Sequence, residues 1–266
     1  MENNKVLKSV FVATAILTSV LSNVQADGSI TNSYSGKKDN LHIYLLIGQS
    51  NMAGRAPYST QESEAIPRCY LFNDKDQWED AKNPLNRYST IRKGLGMQKM
   101  NPGYYFAKTM LTNNVNISIG LVVNAKGGTS IQQWAKGTQF YDEAVRRTKL
   151  AQKTGVFKGI LWHQGESNQN EPDVYLIKLE KLVKDFRTAL DLPDLPFVAG
   201  QVNNLKAIND QIAELPNKVP HTAYASSEEL KAMDRWHFDS PSMKLLGERY
   251  AEQMIKFQKT EKIIAK

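Results

Sequence analysis

Apolar and polar positions along this chain alternate between short apolar runs and longer stretches with apolar residues at helical spacing. The runs predict buried strands, and the stretches predict amphipathic helices. Strands are predicted at residues 41–47, 117–123, 159–163, 197–202 and 222–226. Helices are predicted at residues 102–113, 139–154, 172–190, 205–215 and 241–264. Strands that alternate with helices predict a parallel sheet covered by helices on both faces.

One long segment, residues 55–96, interrupts this alternation. It contains Trp78 and an apolar cluster at residues 70–72, and we expect a short strand around Cys69. A long excursion between two strands of an α/β domain is commonly functional. We therefore predict that this segment forms a wall of a substrate cleft.

The first residues have the composition of a secretory signal peptide. Lysines precede an apolar run at residues 10–21, and a small-residue cleavage pattern ends at Ala26. The run is too short to span a bilayer comfortably. We expect a signal peptide over residues 1–26, a flexible leader over 27–40 and a single domain over 41–266. The mature protein is then secreted or periplasmic, without stable membrane insertion, although an uncleaved anchor is the alternative.

Composition narrows the classes of partner. The 266-residue chain is 41% hydrophobic, enough for a sizeable core, and its formal net charge is +7. The basic residues are scattered, without the arginine-rich or basic–aromatic runs of nucleic-acid-binding proteins, so no nucleic-acid partner is expected. Cys69 is the single cysteine, which rules out an internal disulfide. We predict a buried, unreactive thiol there.

The first predicted strand leads directly into the segment Gly48-Gln49-Ser50-Asn51-Met52-Ala53-Gly54. This arrangement raises a serine hydroxyl from the carboxyl end of a buried strand, where open α/β sheets bind their ligands. Ser50 is therefore a candidate nucleophile, provided that a base and oxyanion donors lie nearby.

Two further polar segments follow predicted strands. The pair Gly127-Gly128 presents backbone N–H groups that suit an oxyanion, although a plain tight turn is the alternative. Gln164 offers an amide N–H to an oxyanion, and Glu166 offers a carboxylate that orients another group. A hydrogen-bonded loop is the alternative for this segment. His163 is expected to be structural, because its side chain alternates with those of its neighbours.

A candidate base precedes the last predicted helix, in the segment Asp234-Arg235-Trp236-His237-Phe238-Asp239. Asp234 lies three residues before His237, close enough in a turn to accept a hydrogen bond from the imidazole. Such a contact fixes the tautomer and stabilises the imidazolium that forms when a serine is deprotonated. Taken alone, this spacing is also a common turn and capping feature.

Together and in this order, these segments resemble the SGNH (GDSL-type) hydrolases. The resemblance is strongest to the branch that contains sialate O-acetylesterases and the acetylxylan esterases of carbohydrate esterase family six, and it covers residues 41–253. It implies a three-layer α/β/α flavodoxin-like fold with a central parallel sheet, and ester hydrolysis without a metal or cofactor. The superfamily's usual third-block asparagine is replaced here by Gln164, which is typical of this branch.

The resemblance also implies a role for each candidate residue. Ser50 is the nucleophile and His237 is the general base. The backbone N–H groups of Ser50 and Gly128, together with the Gln164 side chain, form the oxyanion hole. Asp234 is the favoured third member of the triad because of its proximity to His237, and Glu166 is the alternative acid.

The resulting expectation is a secreted serine carbohydrate esterase, a carboxylic ester hydrolase that removes O-acetyl groups from sugars through an acetyl-enzyme. Acetylxylan and O-acetylated sialic acid both fit as substrates. The alternative is a catalytically inactive, secreted carbohydrate-binding protein on the same scaffold, with Trp78, Trp134 and Trp236 stacking on sugar rings. The presence of serine, histidine and aspartate together favours catalysis.

Overall fold

The structure is a computed structural model that describes residues 34–92, 94 and 96–264. Its strands are β1 (Leu41–Gly48), β2 (Cys69–Phe72), β3 (Trp78–Asp80), β4 (Ser118–Ala125), β5 (Val156–His163), β6 (Phe197–Gly200) and β7 (Thr222–Ala225). Its helices are α1 (Ser50–Ala53), α2 (Gly103–Asn113), α3 (Gln139–Ala151), α4 (Pro172–Leu190), α5 (Lys206–Lys218) and α6 (Ser240–Ile264).

The seven strands form one sheet in the order β3-β2-β4-β1-β5-β6-β7. Six of them are parallel, and the short edge strand β3 pairs antiparallel with β2. Strand β1 lies at the centre, between β4 and β5, where Ile47 is in register with both Asn124 and Trp162. The parallel sheet predicted from the sequence is confirmed.

Helices cover both faces of this sheet. Odd-numbered positions of β1 pack in one core with α3, α4 and α5, and even-numbered positions pack in a second core with α2 and α6. Leu45 and Leu46, one on each face, are both fully buried. Burying one such side chain stabilises the fold by about 1.5–3 kcal/mol. Because both faces are covered, the strand reads as a continuous apolar run, and the predicted three-layer α/β/α fold is confirmed.

Strand β1 ends in a glycine that no other residue can replace without a backbone shift. Gly48 has φ +131°, and a Cβ at this position would lie 2.1 Å from the carbonyl oxygen of His163. The following N–H, of Gln49, donates to the same carbonyl at 2.8 Å. This close approach of β1 and β5 turns the chain sharply and starts α1 at Ser50, on the carboxyl edge of the sheet.

The predicted flexible leader overlaps the described chain at residues 34–40, where Tyr34 is buried and the other residues are exposed. Tyr34 is 8% exposed, its ring packs edge-on against Tyr70 at 5.2 Å, and its hydroxyl donates to Lys37 O. Burial of the aromatic ring on the sheet offsets the cost of ordering this segment. The predicted signal peptide and residues 27–33 lie outside the described residues.

The long excursion is attached to the sheet by a buried arginine. Arg147 of α3 is fully buried, and its guanidinium donates to the carbonyl oxygens of Phe72, Asn73, Tyr88 and Val123. Burial lowers the pKa of Arg147 to about 10. The same segment contains β2, the strand expected around Cys69, whose thiol is buried and has a raised pKa.

None of the helices in the described part of the chain is long and apolar enough to cross a bilayer.

Candidate active site

The carboxyl edge of the sheet carries a pocket of about 570 Å³. Strand β1 delivers Ser50 to it, β4 delivers Gly127 and Gly128, and the loop after β5 delivers Glu166. The long connection between β7 and α6 crosses this edge and contributes His237. Four segments that are distant in sequence therefore converge, because the carboxyl ends of parallel strands share one edge.

Ser50, His237 and Asp234 form a continuous hydrogen-bonded chain. The Ser50 Oγ lies 3.0 Å from His237 Nε2, and His237 Nδ1 lies 2.8 Å from Asp234 Oδ2. An ionised carboxylate only accepts hydrogen bonds, so the imidazole proton belongs on Nδ1 and the free lone pair of Nε2 faces the serine hydroxyl. This is the geometry in which an imidazole takes a proton from a serine.

Asp234 is held in its charged form. Partial burial alone would raise the pKa of this carboxyl, but three hydrogen bonds outweigh that effect and lower the pKa to about 2. They come from the His237 ring and from the backbone N–H groups of Trp236 and His237, the latter two at 2.8 and 2.9 Å. The carboxylate therefore fixes both the loop that carries the imidazole and the imidazole itself.

Two residues that line the pocket, Ser50 and Gly128, have backbone N–H groups without a backbone acceptor among the described residues. Ser50 is the first residue of α1, so its N–H has no partner within the helix. Gly128 has φ +73°, and no atom lies within 4 Å of the place where its Cβ would be. Neither N–H donates to a carbonyl among the described residues. These two donors fit the predicted oxyanion hole.

Gln164 does not occupy the position that the sequence suggests. Its side chain is fully buried, and its amide nitrogen donates to Gln49 Oε1, Thr129 O and Asn168 Oδ1 at 3.2, 3.1 and 2.7 Å. The two amide hydrogens are thus engaged by protein acceptors, and the residue does not line the pocket. Gln164 supports the loops around the site, and its amide is not free to donate to an oxyanion in this arrangement.

Glu166 contacts an asparagine, whereas Asp234 contacts the imidazole. The Glu166 Oε1 accepts a hydrogen bond from Asn51 Nδ2 at 2.9 Å, and the Glu166 Oε2 has no partner among the described residues. Burial raises the pKa of Glu166 to about 7. Of the two acids that the sequence offers as the partner of His237, Asp234 is therefore the one that contacts the imidazole.

Asn51 is a residue of the site that the sequence analysis missed. Its Nδ2 also donates to Trp236 O at 3.0 Å, and its Oδ1 accepts from Phe238 N at 3.2 Å. It therefore ties the residues on both sides of His237 to the helix that starts with Ser50, while Glu166 holds its amide. Its position directly after the nucleophile, within the same motif, was the available signal.

Other expectations are settled by burial. His163 is fully buried beside the Tyr250 hydroxyl, and burial lowers its pKa to about 3, so it is structural as predicted. Trp78 and Trp134 are fully buried core residues, whereas Trp236 lines the pocket. Arg55 and Arg92 of the long excursion line the pocket, where the sequence predicts a cleft wall.

Comparisons with known proteins identify a matching family and a relative of known family. Residues 40–256 match the family model described as carbohydrate esterase, sialic acid-specific acetylesterase. A probable carbohydrate esterase of Arabidopsis thaliana is 31% identical over 192 residues, which are 65% of this chain and 73% of the relative.

Solved structures share the fold. An Arabidopsis thaliana protein superposes with a TM-score of 0.73 at 27% identity, over 82% of this chain and 98% of its own. NanS superposes with a TM-score of 0.68 at 16% identity, over 84% and 99% of the two chains. A carbohydrate acetylesterase from Xanthomonas citri gives 0.59 at 19% identity, over 79% of this chain and 55% of its own.

The family match covers most of the described chain, including every segment that reaches the pocket. It confirms the resemblance that the sequence motifs indicate. The chain belongs to the carbohydrate esterase family of sialic acid-specific acetylesterases, and it is a carboxylic ester hydrolase whose substrates are acetylated carbohydrates.

Proposed function

We propose that this protein is a secreted serine esterase that removes O-acetyl groups from sugars through an acetyl-enzyme. The observation that carries the proposal is the chain from Ser50 Oγ through the His237 ring to Asp234 Oδ2, with links of 3.0 and 2.8 Å. Nucleophile, base and orienting acid are in contact without any rearrangement. The pocket wall is lined by charged and polar side chains, which does not favour the long apolar acyl site of a lipase.

In the first step Ser50 Oγ attacks the acetyl carbonyl carbon while His237 Nε2 takes the hydroxyl proton. The carbonyl oxygen becomes an oxyanion, which the N–H groups of Ser50 and Gly128 stabilise. Each such donor contributes about 2.7–4 kcal/mol to lowering the barrier. When the tetrahedral intermediate collapses, the sugar oxygen leaves and takes the proton from His237.

In the second step water attacks the acetyl carbon of the acetyl-enzyme. His237 Nε2 removes a proton from this water, and the same two N–H groups stabilise the second oxyanion. Collapse releases acetate and returns the proton to Ser50 Oγ. Asp234 stays ionised throughout and stabilises the imidazolium in both steps.

The location and domain organisation of the mature protein are part of the proposal. They rest on the lysines, apolar run and small-residue cleavage pattern at the N-terminus. Edman sequencing of the protein from culture medium and periplasm should begin at Asp27. A chain that keeps its N-terminal residues and stays with the membrane would contradict secretion.

Ser50→Ala and His237→Ala test the mechanism. We expect each to lower kcat for a chromogenic acetate ester by about 10⁴-fold or more, because the members of such a triad act as a unit. Mass spectrometry of the wild-type protein, quenched during turnover, should find an acetyl group on the peptide that contains Ser50.

Matched controls come from residues of the same types that lie outside the pocket. Ser63→Ala and His221→Ala remove a hydroxyl and an imidazole outside the pocket and should leave kcat unchanged. Turnover at the wild-type rate in a folded Ser50→Ala variant would contradict the mechanism. Binding of an acetylated oligosaccharide without acetate release would favour the inactive carbohydrate-binding alternative.

A further inference from the structure

A second cavity lies beside the active-site pocket, along the loop that carries His237. Its volume is about 570 Å³, which is in the range of small-ligand sites. The loop forms one part of its lining, and residues 203–205, which follow β6, form another. Trp236 lines both this cavity and the active-site pocket. The two spaces therefore meet at one aromatic residue.

Trp236 is the accessible tryptophan of the chain. All four tryptophans lie in the described part of the chain, and three of them are fully buried core residues: Trp78, Trp134 and Trp162. Trp236 is half-buried, and its ring packs against no other aromatic ring among the described residues. An aromatic side chain that lines a cavity outside the core offers apolar surface to a ligand.

The Trp236 ring is held in place before any ligand arrives. The Arg235 guanidinium lies 4.3 Å from the ring centroid and donates a hydrogen bond to Gln169 Oε1 at 3.1 Å. The backbone is fixed as well, since Trp236 N donates to Asp234 Oδ1 and Trp236 O accepts from Asn51 Nδ2. A side chain that is already ordered loses little conformational entropy when a ligand covers it.

The second cavity offers side-chain amides to hydroxyl groups. Asn203 donates from Nδ2 to Arg235 O at 3.0 Å, and its Oδ1 has no hydrogen-bond partner among the described residues. Asn204 is exposed, and its amide makes no hydrogen bond within the same part of the chain. An amide both donates and accepts, as a hydroxyl does, so these side chains suit a ligand with several hydroxyl groups.

The second cavity continues into a third, of about 730 Å³, near the carboxyl ends of β6 and β7. We call these two cavities the side groove, and the residues that line both of them are Asn203, Asn204, Leu205 and Leu230. The groove carries charges of both signs, among them Lys206 and Asp210, which pair at 2.7 Å. Its lining therefore fits a polar ligand without a strong charge of its own.

We propose that the side groove binds the sugar residues that are glycosidically linked to the acetylated one, with Trp236 stacking on the sugar at the junction, so that the esterase prefers O-acetylated oligosaccharides to free monosaccharides. The inference rests on the proposed function. The occupant follows from continuity, because a glycan whose acetylated residue lies at Ser50 can pass Trp236 into a second polar space. A sugar ring has an apolar C–H face and hydroxyl groups at its edge, which match an aromatic ring flanked by amides.

The test compares matched substrates with the full-length protein: O-acetylated sialic acid with O-acetylated sialyllactose, and O-acetylated xylose with O-acetylated xylotetraose. Each pair has the same ester and differs in the linked sugars. In the pair that the enzyme hydrolyses, we expect kcat/KM to be about tenfold or more higher for the oligosaccharide. The gain should lie in KM, because contacts remote from the ester are alike in the ground state and the transition state.

Variants of the groove should lower this oligosaccharide-to-monosaccharide ratio. Trp236→Ala should reduce it to about twofold, and Trp236→Phe, which keeps a ring, should retain more of it. Asn204→Gly removes an amide and should lower the ratio about threefold. Asn204 has φ +50°, which glycine adopts freely, so the backbone is kept. Because the ratio is taken within each variant, a general change in activity cancels.

Asn217→Ala is the matched control for Asn204→Gly, since it removes an exposed amide of α5 outside the side groove. It should leave the ratio at the wild-type value. If Trp236→Ala fails to fold, Trp236→Phe and Asn204→Gly provide the test.

Fluorescence provides a readout that does not depend on turnover. Because the other tryptophans are fully buried, quenching by acrylamide reports mainly on Trp236. In the Ser50→Ala variant, which leaves the ester intact, the O-acetylated oligosaccharide should protect the tryptophan from quenching at lower concentration than the monosaccharide does. Adding Trp236→Phe to this variant should abolish the protection.

A ratio near one in the wild-type protein would overturn the side groove and leave the esterase mechanism in place. So would an unchanged ratio in the folded Trp236→Ala and Asn204→Gly variants. An equal gain from an apolar 4-nitrophenyl group in place of the linked sugars would overturn the assignment to sugar residues. Absence of acetate release from every substrate would instead contradict the proposed function.

Discussion

The sequence offers two acids, Asp234 and Glu166, as the partner of His237, and the surroundings of their carboxyl groups differ sharply. The Asp234 side chain is 52% exposed and accepts three hydrogen bonds, which lower its pKa to about 2. Glu166 is 4% exposed, accepts one side-chain hydrogen bond, from Asn51, and has a pKa raised to about 7 by burial. One carboxyl is therefore charged in neutral solution, while the other is near its midpoint.

The difference shows how environment divides two similar groups between two tasks. A charged carboxylate beside an imidazole stabilises the imidazolium that catalysis creates, which is the task of the triad acid. A buried carboxyl near its titration midpoint is less suited to this task, but it can hold an amide in place. Glu166 is accordingly a positioning residue, which acts on His237 through Asn51 and the backbone that Asn51 binds.

The largest expected effect is that of Asp234→Asn. The neutral amide keeps the shape of the carboxylate but removes the charge and allows the wrong imidazole tautomer, so kcat for the chromogenic acetate should fall by about 10⁴-fold. Steady-state kinetics at pH 8 measures this directly. A loss smaller than that of Glu166→Gln, assayed beside it, would reverse the roles of the two acids.

Asn51→Ala should have an intermediate effect. The variant leaves Ser50, His237 and Asp234 in place but releases the loop at Trp236 and Phe238, so the imidazole loses its alignment with the hydroxyl. A misplacement of about 1 Å costs about 10²-fold in rate, and we expect this loss in kcat with little change in KM.

Asn217→Ala is the matched control for Asn51→Ala, since it removes an exposed amide that bonds to Glu214 on α5. It should retain full activity. If Asn51→Ala also retains full activity, the Asn51 amide does not align His237, and Glu166 does not act on His237 through Asn51.

How well the sequence predicts a residue of this site depends on how far apart along the chain that residue and its contacts lie. Asp234 was predictable because it lies three residues from His237 and can reach it within one turn. Gly48, Ser50 and Gly128 were predictable because glycines and a serine after apolar strands mark the carboxyl edge of the sheet. The longer strands and helices followed from hydrophobic period, whereas the three-residue strand β3 and the four-residue helix α1 are too short to show one.

Other features depend on contacts that no local pattern carries. Gln164 was assigned to the oxyanion hole, but its amide nitrogen donates hydrogen bonds to Gln49, Thr129 and Asn168, which lie in separate segments. Arg55 was recognised only as the start of a long excursion, because its place at the pocket depends on how that excursion folds back. The positions and contacts of such residues are set by long-range hydrogen bonds and burial.

The smallest expected effect on rate is that of Glu166→Gln, which keeps the shape of the side chain and an oxygen for Asn51 Nδ2. We expect kcat to stay within about tenfold of wild type. The variant has a larger signature in stability. In the wild-type protein the folded-state pKa of Glu166 is raised from 4.5 to about 7, so the folded state binds the proton more tightly than the unfolded chain does.

As pH rises from 4.5 to 7, the wild-type protein therefore loses stability from this group, by about 3 kcal/mol in total. Glutamine does not titrate, so the stability of the variant does not fall with pH through this side chain. Urea unfolding of both proteins at pH 4.5 and pH 8 isolates the effect, because groups shared by the two proteins cancel in the difference. The free energy of unfolding of Glu166→Gln relative to wild type should be higher at pH 8 than at pH 4.5. A difference that does not change with pH would mean that Glu166 is ionised in the folded protein like an ordinary carboxyl, and its contrast with Asp234 would then lie in contacts alone.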